Sequence, residues 1–405
     1  MYYKRHIKKA IESNLKDYPA VLLTGARQVG KTTIFENEFD CKIVSLDNIN
    51  ILEAIKTDAV GFISEQSKPL VIDEVQKDPN VFSSLKYLID KEKKNGNYLL
   101  TGSQKFELME GVSESLSGRL GILQLHGLSN RELIGENFNK PFIPTKDYLL
   151  SRNPQQKFNS KKIWEIIQRG SFPKLYDDES FDFERFYSNY IDTYVERDVR
   201  NILNVTNLYT FIQFMTSLAS RTGEILNMNS IAKDIGINIS TVKKWISVLE
   251  TSNIIYLLQP FSTNVSRRII KSPKVYWMDT GLVCYLCKWF NPESAKNGAM
   301  AGQLFETYVV TEILKSYYNA GKKPNMFYFR NSDMQEVDLI FYENGKIYPI
   351  EIKTTQKADV RKVKGFKVLT TYFPQIEIAS GGIMCTEEEL IPIGDGNYII
   401  PINYI

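Results

Sequence analysis

The apolar run Val21-Leu22-Leu23-Thr24 leads into Gly25, Ala26, Arg27, Gln28, Val29, Gly30, Lys31, Thr32 and Thr33. A Gly-x-x-x-x-Gly-Lys-Thr loop set between a strand and a helix start has the chemistry of a phosphate cradle. Its backbone N–H groups and those of the helix N-terminus can wrap a phosphate chain. The Lys31 ammonium can reach the β- and γ-phosphates, and the Thr32 hydroxyl can hold Mg²⁺. Gly25 and Gly30 allow the turn and the close backbone approach that a side chain would block.

A second stretch carries the acid that such a site needs. Pro69-Leu70-Val71-Ile72-Asp73-Glu74 is an apolar strand with two carboxylates at its carboxyl end. Buried parallel strands look like this, and open α/β sheets bind ligands at that edge. Asp73 is expected to hold Mg²⁺ together with Thr32, and Glu74 to orient or deprotonate an attacking water. A third strand, Asn97-Tyr98-Leu99-Leu100, ends in Thr101-Gly102-Ser103. The Thr101 and Ser103 hydroxyls are expected to sense a terminal phosphate or hold the water, although Thr-Gly-Ser is also ordinary turn chemistry.

A separate constellation lies some 300 residues later. Glu336-Val337-Asp338-Leu339-Ile340-Phe341 and Lys346-Ile347-Tyr348-Pro349-Ile350-Glu351-Ile352-Lys353 flank the hairpin signal Asn344-Gly345. Glu351 and Lys353 are two apart and share a strand face. Asp338 and Glu351, with Glu306 on a preceding helix, are expected to bind a divalent metal, and Lys353 to help position a water for phosphodiester attack. The spacing resembles the Asp…Glu-x-Lys core of restriction-endonuclease-like nucleases, with Val337 where a proline often stands. Alternating charges on the solvent side of a hairpin are the alternative, and such a fold can also be catalytically silent.

These groups need a scaffold. Strands are expected at Val21–Thr24, Lys42–Leu46, Leu70–Ile72, Tyr98–Leu100 and Leu120–Leu125, alternating with helices such as 81–90, after a basic helix in residues 1–17. That alternation predicts an α/β parallel sheet with helices on both faces. Residues 136–160, rich in Asn, Pro, Lys and Gln, predict a linker or long loop. Residues 161–220 are helical and aromatic, and the triplet Glu196-Arg197-Asp198 suits a solvated or salt-bridged helix face. Residues 225–260 have a winged-helix outline: a short helix at 230–235, a turn at Gly236-Ile237-Asn238, a helix over 241–251 capped by Ser240, then a strand at 254–258. Lys243 and Lys244 could meet phosphates and Trp245 is expected in the core. Two lysines are a thin footprint for DNA, so a protein-binding lid is an equal expectation.

The chain of 405 residues, 43% hydrophobic and 24% charged, is long enough for two to four domains. A net charge of +3 gives no overall drive toward nucleic acid. Cys41, Cys284, Cys287 and Cys385 make no disulfide framework, and Cys284-x-x-Cys287 lacks the further ligands of a zinc site, so free thiols are expected. Two histidines, His6 and His126, leave little room for histidine-based catalysis or metal binding. No long apolar segment or leader pattern is evident, which points to a cytoplasmic protein with no membrane partner.

Taken together, the chain resembles a prokaryotic family of AAA-type ATPases with a winged-helix region and a nuclease-like carboxy-terminal domain of unknown function. The resemblance rests on residues 23–33, on Ile72-Asp73-Glu74-Val75-Gln76 and on Leu100-Thr101-Gly102-Ser103. Ser115-Leu116-Ser117-Gly118-Arg119, residues 273–282 and Glu336-Val337-Asp338…Glu351-Ile352-Lys353 complete it. It implies a P-loop ATPase domain over 1–135, a linker and helical region over 136–220, a winged helix over 221–265 and an α+β restriction-endonuclease-like domain over 266–405. It also implies ATP and Mg²⁺ as cofactors, Arg119 as a phosphate contact in its own or a neighbouring subunit or, equally, as one side of a structural salt bridge, and DNA, RNA or a protein as partner. The number of subunits is open.

Overall fold

A computed structural model of the chain describes residues 1–102, 116–178, 180–194, 208–263, 272–355 and 359–405. The amino-terminal part is a parallel sheet of β1 (Ala20–Thr24), β2 (Lys42–Ser45), β3 (Leu70–Asp73), β4 (Tyr98–Gly102) and β5 (Leu120–Gln124) in the order β2-β3-β4-β1-β5. Period-two alternation divides β1 between two cores. Val21 and Leu23 face one side with Val71, Leu99, Ile34 and Phe35. Ala20 and Leu22 face the other with Ile72, Leu100, Ile55 and Leu85. Helices Lys31–Glu38, Ile49–Glu65 and Asn80–Glu92 supply those covering residues as crossovers. A further helix, Lys8–Asp17, precedes β1. Because β4 lies between β1 and β3, its end can reach both the phosphate-type loop and Asp73.

Helices Ser160–Arg169, Phe183–Tyr194, Leu208–Ala219, Met228–Ile235 and Ile239–Thr251 follow. Trp245 packs into the core between Phe211 and Phe214, at 5.1 and 5.2 Å between ring centroids. The first helix of the helix–turn–helix segment begins at Met228, capped by Asn227. The second begins at Ile239 after Asn238, whose side chain makes no capping bond, so Ser240 lies inside the helix rather than capping it. An antiparallel ribbon of β6 (Ile255–Leu258) and β7 (Lys274–Trp277) comes next. Glu196, Arg197 and Asp198 lie outside the described residues.

The segment 136–160 is not a linker. It holds the helix Lys146–Ser151, and Phe142, Tyr148, Leu149 and Arg152 are buried. Its polar composition concealed apolar residues that anchor it to the common core.

The carboxy-terminal part joins the long helix Ala301–Asn319 to a mixed sheet. Its strands are β8 (Met326–Arg330), β9 (Glu336–Glu343), β10 (Lys346–Ile352), β11 (Glu377–Ile378), β12 (Gly382–Cys385), β13 (Ile391–Pro392) and β14 (Tyr398–Pro401). β9 and β10 pair antiparallel across Asn344-Gly345, both with positive φ (52° and 76°), as a two-residue hairpin turn requires. All four cysteines are free, Cys284 and Cys385 buried, Cys41 and Cys287 partly exposed. No described helix is long and apolar enough to cross a membrane.

Candidate functional site

The loop from Gly25 to Gly30 leaves the carboxyl end of β1 and enters the helix Lys31–Glu38. A Cβ on Gly25, where φ is 155°, would stand 2.1 Å from the Leu125 carbonyl oxygen. Gly30 (φ 94°) and Gln28 (φ 61°) both adopt the left-handed region as the loop turns back into the helix. The Lys31 ammonium donates to the carbonyls of Gly25 (3.1 Å) and Ala26 (2.9 Å), folded over the loop it would serve.

Arg5, which carries no sequence motif, secures this loop from behind. Its buried guanidinium donates to the Val29 carbonyl (2.7 Å) and the His126 carbonyl (2.7 Å) and pairs with Glu132 at 3.1 Å. Burial alone would raise the Glu132 pKa. The Arg5 charge, His6 and the N–H groups of Ser129 and His6 outweigh it and hold it at about 2.

The end of β3 meets the loop. Asp73 is buried, and its Oδ1 accepts from the Thr32 hydroxyl (2.7 Å) and from the Thr101 hydroxyl. Its Oδ2 accepts from the Ser45 hydroxyl at 3.2 Å. Three strand ends and one helix start therefore place four oxygen-bearing side chains around one point. Glu74 follows in a left-handed conformation (φ 56°), its N–H directed to Thr101 Oγ1 (3.3 Å) and its carboxylate held by the Gln76 amide. Beside the loop opens a cavity of about 380 Å³ lined by Gln28, Gly30, Thr33, Asn37, Tyr2 and Lys174, among others.

Arg119 is not part of this constellation. It stands just before β5, and Ala20 pairs with Leu120 at the amino ends of their strands, whereas the loop leaves the carboxyl end of β1 at Thr24. At about 3.3 Å per residue, the sheet's depth separates them. Its guanidinium is engaged by Asp90 at 2.7 and 3.1 Å. Its guanidinium thus faces Asp90 rather than the loop. Ser103 lies outside the described residues. Arg5 and Ser45 were invisible to motif reading because neither lies in a recognisable pattern.

In the carboxy-terminal part, Asp338 Oδ2 accepts from the Ile352 N–H at 2.8 Å, and the Lys353 ammonium lies 3.5 Å from Asp338 and 2.7 Å from Glu351. The three residues do converge at one end of the β9–β10 hairpin. Burial and the Asp338 charge push Glu351 up to about 7, against the pull of Lys353. Glu306 lies close enough to Asp338 to feel its charge, but its Oε1 accepts from Lys274 (3.0 Å) and from the Tyr276 hydroxyl (2.6 Å), both on β7. Lys274 also pairs with Glu336 at 2.5 Å. Among the described residues, no three His, Cys, Asp or Glu side chains are grouped so as to hold a metal ion. Lys274, Tyr276 and Glu336 stand in the stretches that carried the resemblance, but sequence reasoning gave them no role in the site. The one cue was a lysine opening the otherwise apolar strand Lys274-Val275-Tyr276-Trp277.

Residues 17–134 match the family described as an AAA domain. Residues 160–293 and 301–405 match two families described as domains of unknown function, DUF8612 and DUF4143. Uncharacterized protein Rv2008c of Mycobacterium tuberculosis and uncharacterized protein Mb2031c of Mycobacterium bovis are each 25% identical over 394 residues, covering 96% of this chain and 81% of the relative. Among solved structures, a DNA replication initiation factor is 14% identical with a TM-score of 0.24, covering 70% of this chain and 91% of its own. Protein VC1899 from Vibrio cholerae is 12% identical with a TM-score of 0.19, covering 95% of this chain and 94% of its own. Likenesses this low identify neither fold nor function. The first match and the parallel sheet with its loop agree on a P-loop NTPase fold for the amino-terminal part.

Proposed function

We propose that the chain is an Mg²⁺-dependent, ATP-binding and ATP-hydrolysing enzyme whose nucleotide state controls its carboxy-terminal part. The observation that carries this is the meeting of Thr32, Asp73 and Thr101 directly beside the Gly25–Gly30 loop. Thr32 and Asp73 are paired oxygen donors suited to a hard cation. When bound, Mg²⁺ neutralises charge on the β- and γ-phosphate oxygens. The loop N–H groups and the start of the helix Lys31–Glu38 receive the phosphates. Lys31 leaves the Gly25 and Ala26 carbonyls to reach them. Glu74 orients the attacking water once its carboxylate is released from Gln76, and Thr101 reports the terminal phosphate to Asp73. The adjoining cavity takes the base and ribose.

Replacing Lys31 by Ala removes the main cation facing the phosphates, and calorimetry should find no ATP binding; unchanged affinity would reject the assignment. Glu74→Gln should still bind ATP but turn over at least ~10²-fold more slowly, the usual scale for losing a general base. A wild-type rate in that variant would remove Glu74 from the mechanism.

Two readings of the output remain distinct. In the first, Asp338, Glu351 and Lys353 cut nucleic acid with a metal, and the helix–turn–helix segment with exposed Lys243 and Lys244 helps hold DNA or RNA. In the second, the carboxy-terminal part is a catalytically silent scaffold for a protein partner, switched by nucleotide. Lys274 holding Glu306, the third acid of the expected metal set, favours the second. Incubation with DNA or RNA and Mg²⁺ or Mn²⁺ separates them: nicking that is lost in Asp338→Ala and Lys353→Ala establishes the first, and intact nucleic acid the second.

A further inference from the structure

Lys274 is a deeply enclosed cation that faces several acids at once. Its side chain is 3% exposed, and its ammonium sits 3.0 Å from Glu306 and 2.5 Å from Glu336. The Tyr276 hydroxyl donates to the same Glu306 oxygen at 2.6 Å, and the Tyr328 ring lies 5.7 Å from the lysine nitrogen. Burial works against a charged Lys274, but the fields of Glu306, Glu336 and Asp338 outweigh it and raise its pKa above the usual lysine range. Around the corner, Lys353 serves Asp338 and Glu351, and Arg330 stands 3.6 Å from Glu336. Four carboxylates thus share three cations supplied by the chain itself.

A divalent ion needs carboxylate oxygens gathered at roughly 2.0–2.6 Å from one centre. An ammonium held between two of those carboxylates fills that space and supplies the positive charge. Expelling it would leave a buried ammonium without partners, a strongly unfavourable state. Glu306 and Glu336, held by Lys274, therefore do not fit a resident metal. We infer that Lys274 is a built-in counter-cation standing where a divalent metal would be held, and that it fastens the β6–β7 ribbon to the carboxy-terminal sheet.

The backbone carries the same joint independently. Phe261 N–H donates to the Tyr328 carbonyl (2.6 Å), Tyr328 N–H to the Gln259 carbonyl (3.1 Å), and the Tyr328 hydroxyl to the Ser272 carbonyl (2.6 Å). The strand that bears Lys274 and the chain leaving β6 are both tied to β8. Lys274 is then a positioning residue: it sets how the helix–turn–helix segment, through its ribbon, sits on the carboxy-terminal part. This deepens the silent-scaffold reading.

The test uses the full chain without nucleotide, titrated with Mn²⁺ and followed by the electron paramagnetic resonance signal of free Mn²⁺. Wild type, Glu306→Gln and Lys274→Met are compared; Thr32 and Asp73 are intact in all, so any contribution from that site is common. The expected result is identical uptake by wild type and Glu306→Gln, and about one additional ion per chain in Lys274→Met, lost again in Lys274→Met/Glu306→Gln. Uptake by wild type that Glu306→Gln removes overturns the inference, and so does folded Lys274→Met that gains nothing. If Lys274→Met does not fold, the wild-type and Glu306→Gln comparison decides alone. Wild type that takes up Mn²⁺ through Glu306 yet cuts no nucleic acid would overturn the counter-cation while leaving the scaffold reading standing.

Discussion

Gly25 has no room for a side chain. The smallest substitution, Gly25→Ala, would press a methyl group onto the Leu125 carbonyl oxygen 2.1 Å away, in a backbone conformation that side chains avoid. The loop must then shift or carry strain of about 1–3 kcal/mol, which corresponds to ATP binding weakened roughly 5- to 150-fold. Calorimetry on the purified variant measures it, and wild-type affinity would show that the loop tolerates displacement. At this scale the sequence was most legible where one short stretch contains its own chemistry. Gly25 to Thr33, Asp73 and Thr101 are recognisable because strand ends concentrate functional groups at one sheet edge. Arg5 and Ser45 are not, since their partners lie on other segments and no spacing links them. Arg119 carried two readings, a phosphate contact or a salt bridge, and its position on the far edge gives it Asp90.

Elements rather than residues explain how Glu132 sits in the interior as a carboxylate. The short helix Asn130–Leu133 opens with a reciprocal capping box between Ser129 and Glu132, and the same carboxylate pairs with Arg5 and accepts the His6 N–H. Its folded pKa of about 2 lies below the ordinary value of 4.5. A depressed carboxylate contributes stability that is fully present above about 4.5 and is lost as pH falls toward 2. Thermal unfolding followed from pH 6 down to pH 2.5 should therefore show a steeper loss for wild type than for Glu132→Gln. Parallel curves would mean the pairing adds nothing in acid. The hairpin at Asn344-Gly345 was readable from two residues, because only such a pair relieves the positive φ that the turn demands. The packing of 136–160 was not, because its few apolar side chains are spaced by the loop path rather than by a helix or strand period.

At the scale of the whole molecule, the last residues return to the first half. Asn403 accepts from the Phe158 N–H (2.9 Å) and donates to the Phe158 carbonyl (3.0 Å). Arg131 donates to the Ile405 carbonyl (2.9 Å), Arg152 to the Asn403 carbonyl (3.0 Å), and the Tyr148 hydroxyl to the Tyr404 carbonyl (2.9 Å). Asn403→Ala leaves buried backbone groups of Phe158 unpaired, which costs about 1–3 kcal/mol. A lowered melting temperature with ATP affinity retained is the expected outcome, and an unchanged melting temperature would show that solvent replaces the amide. No local pattern announces such contacts, whose partners are 245 to 274 residues apart. That separation gives the joint a direction in time. At 5–20 residues per second, synthesis needs on the order of 10–50 s to travel from one side of these pairs to the other. Throughout that interval the guanidinium groups of Arg131 and Arg152 lack their backbone acceptors from residues 403 and 405. These bonds can therefore form only after residues 403–405 have been made, so they are the late-closing part of the joint.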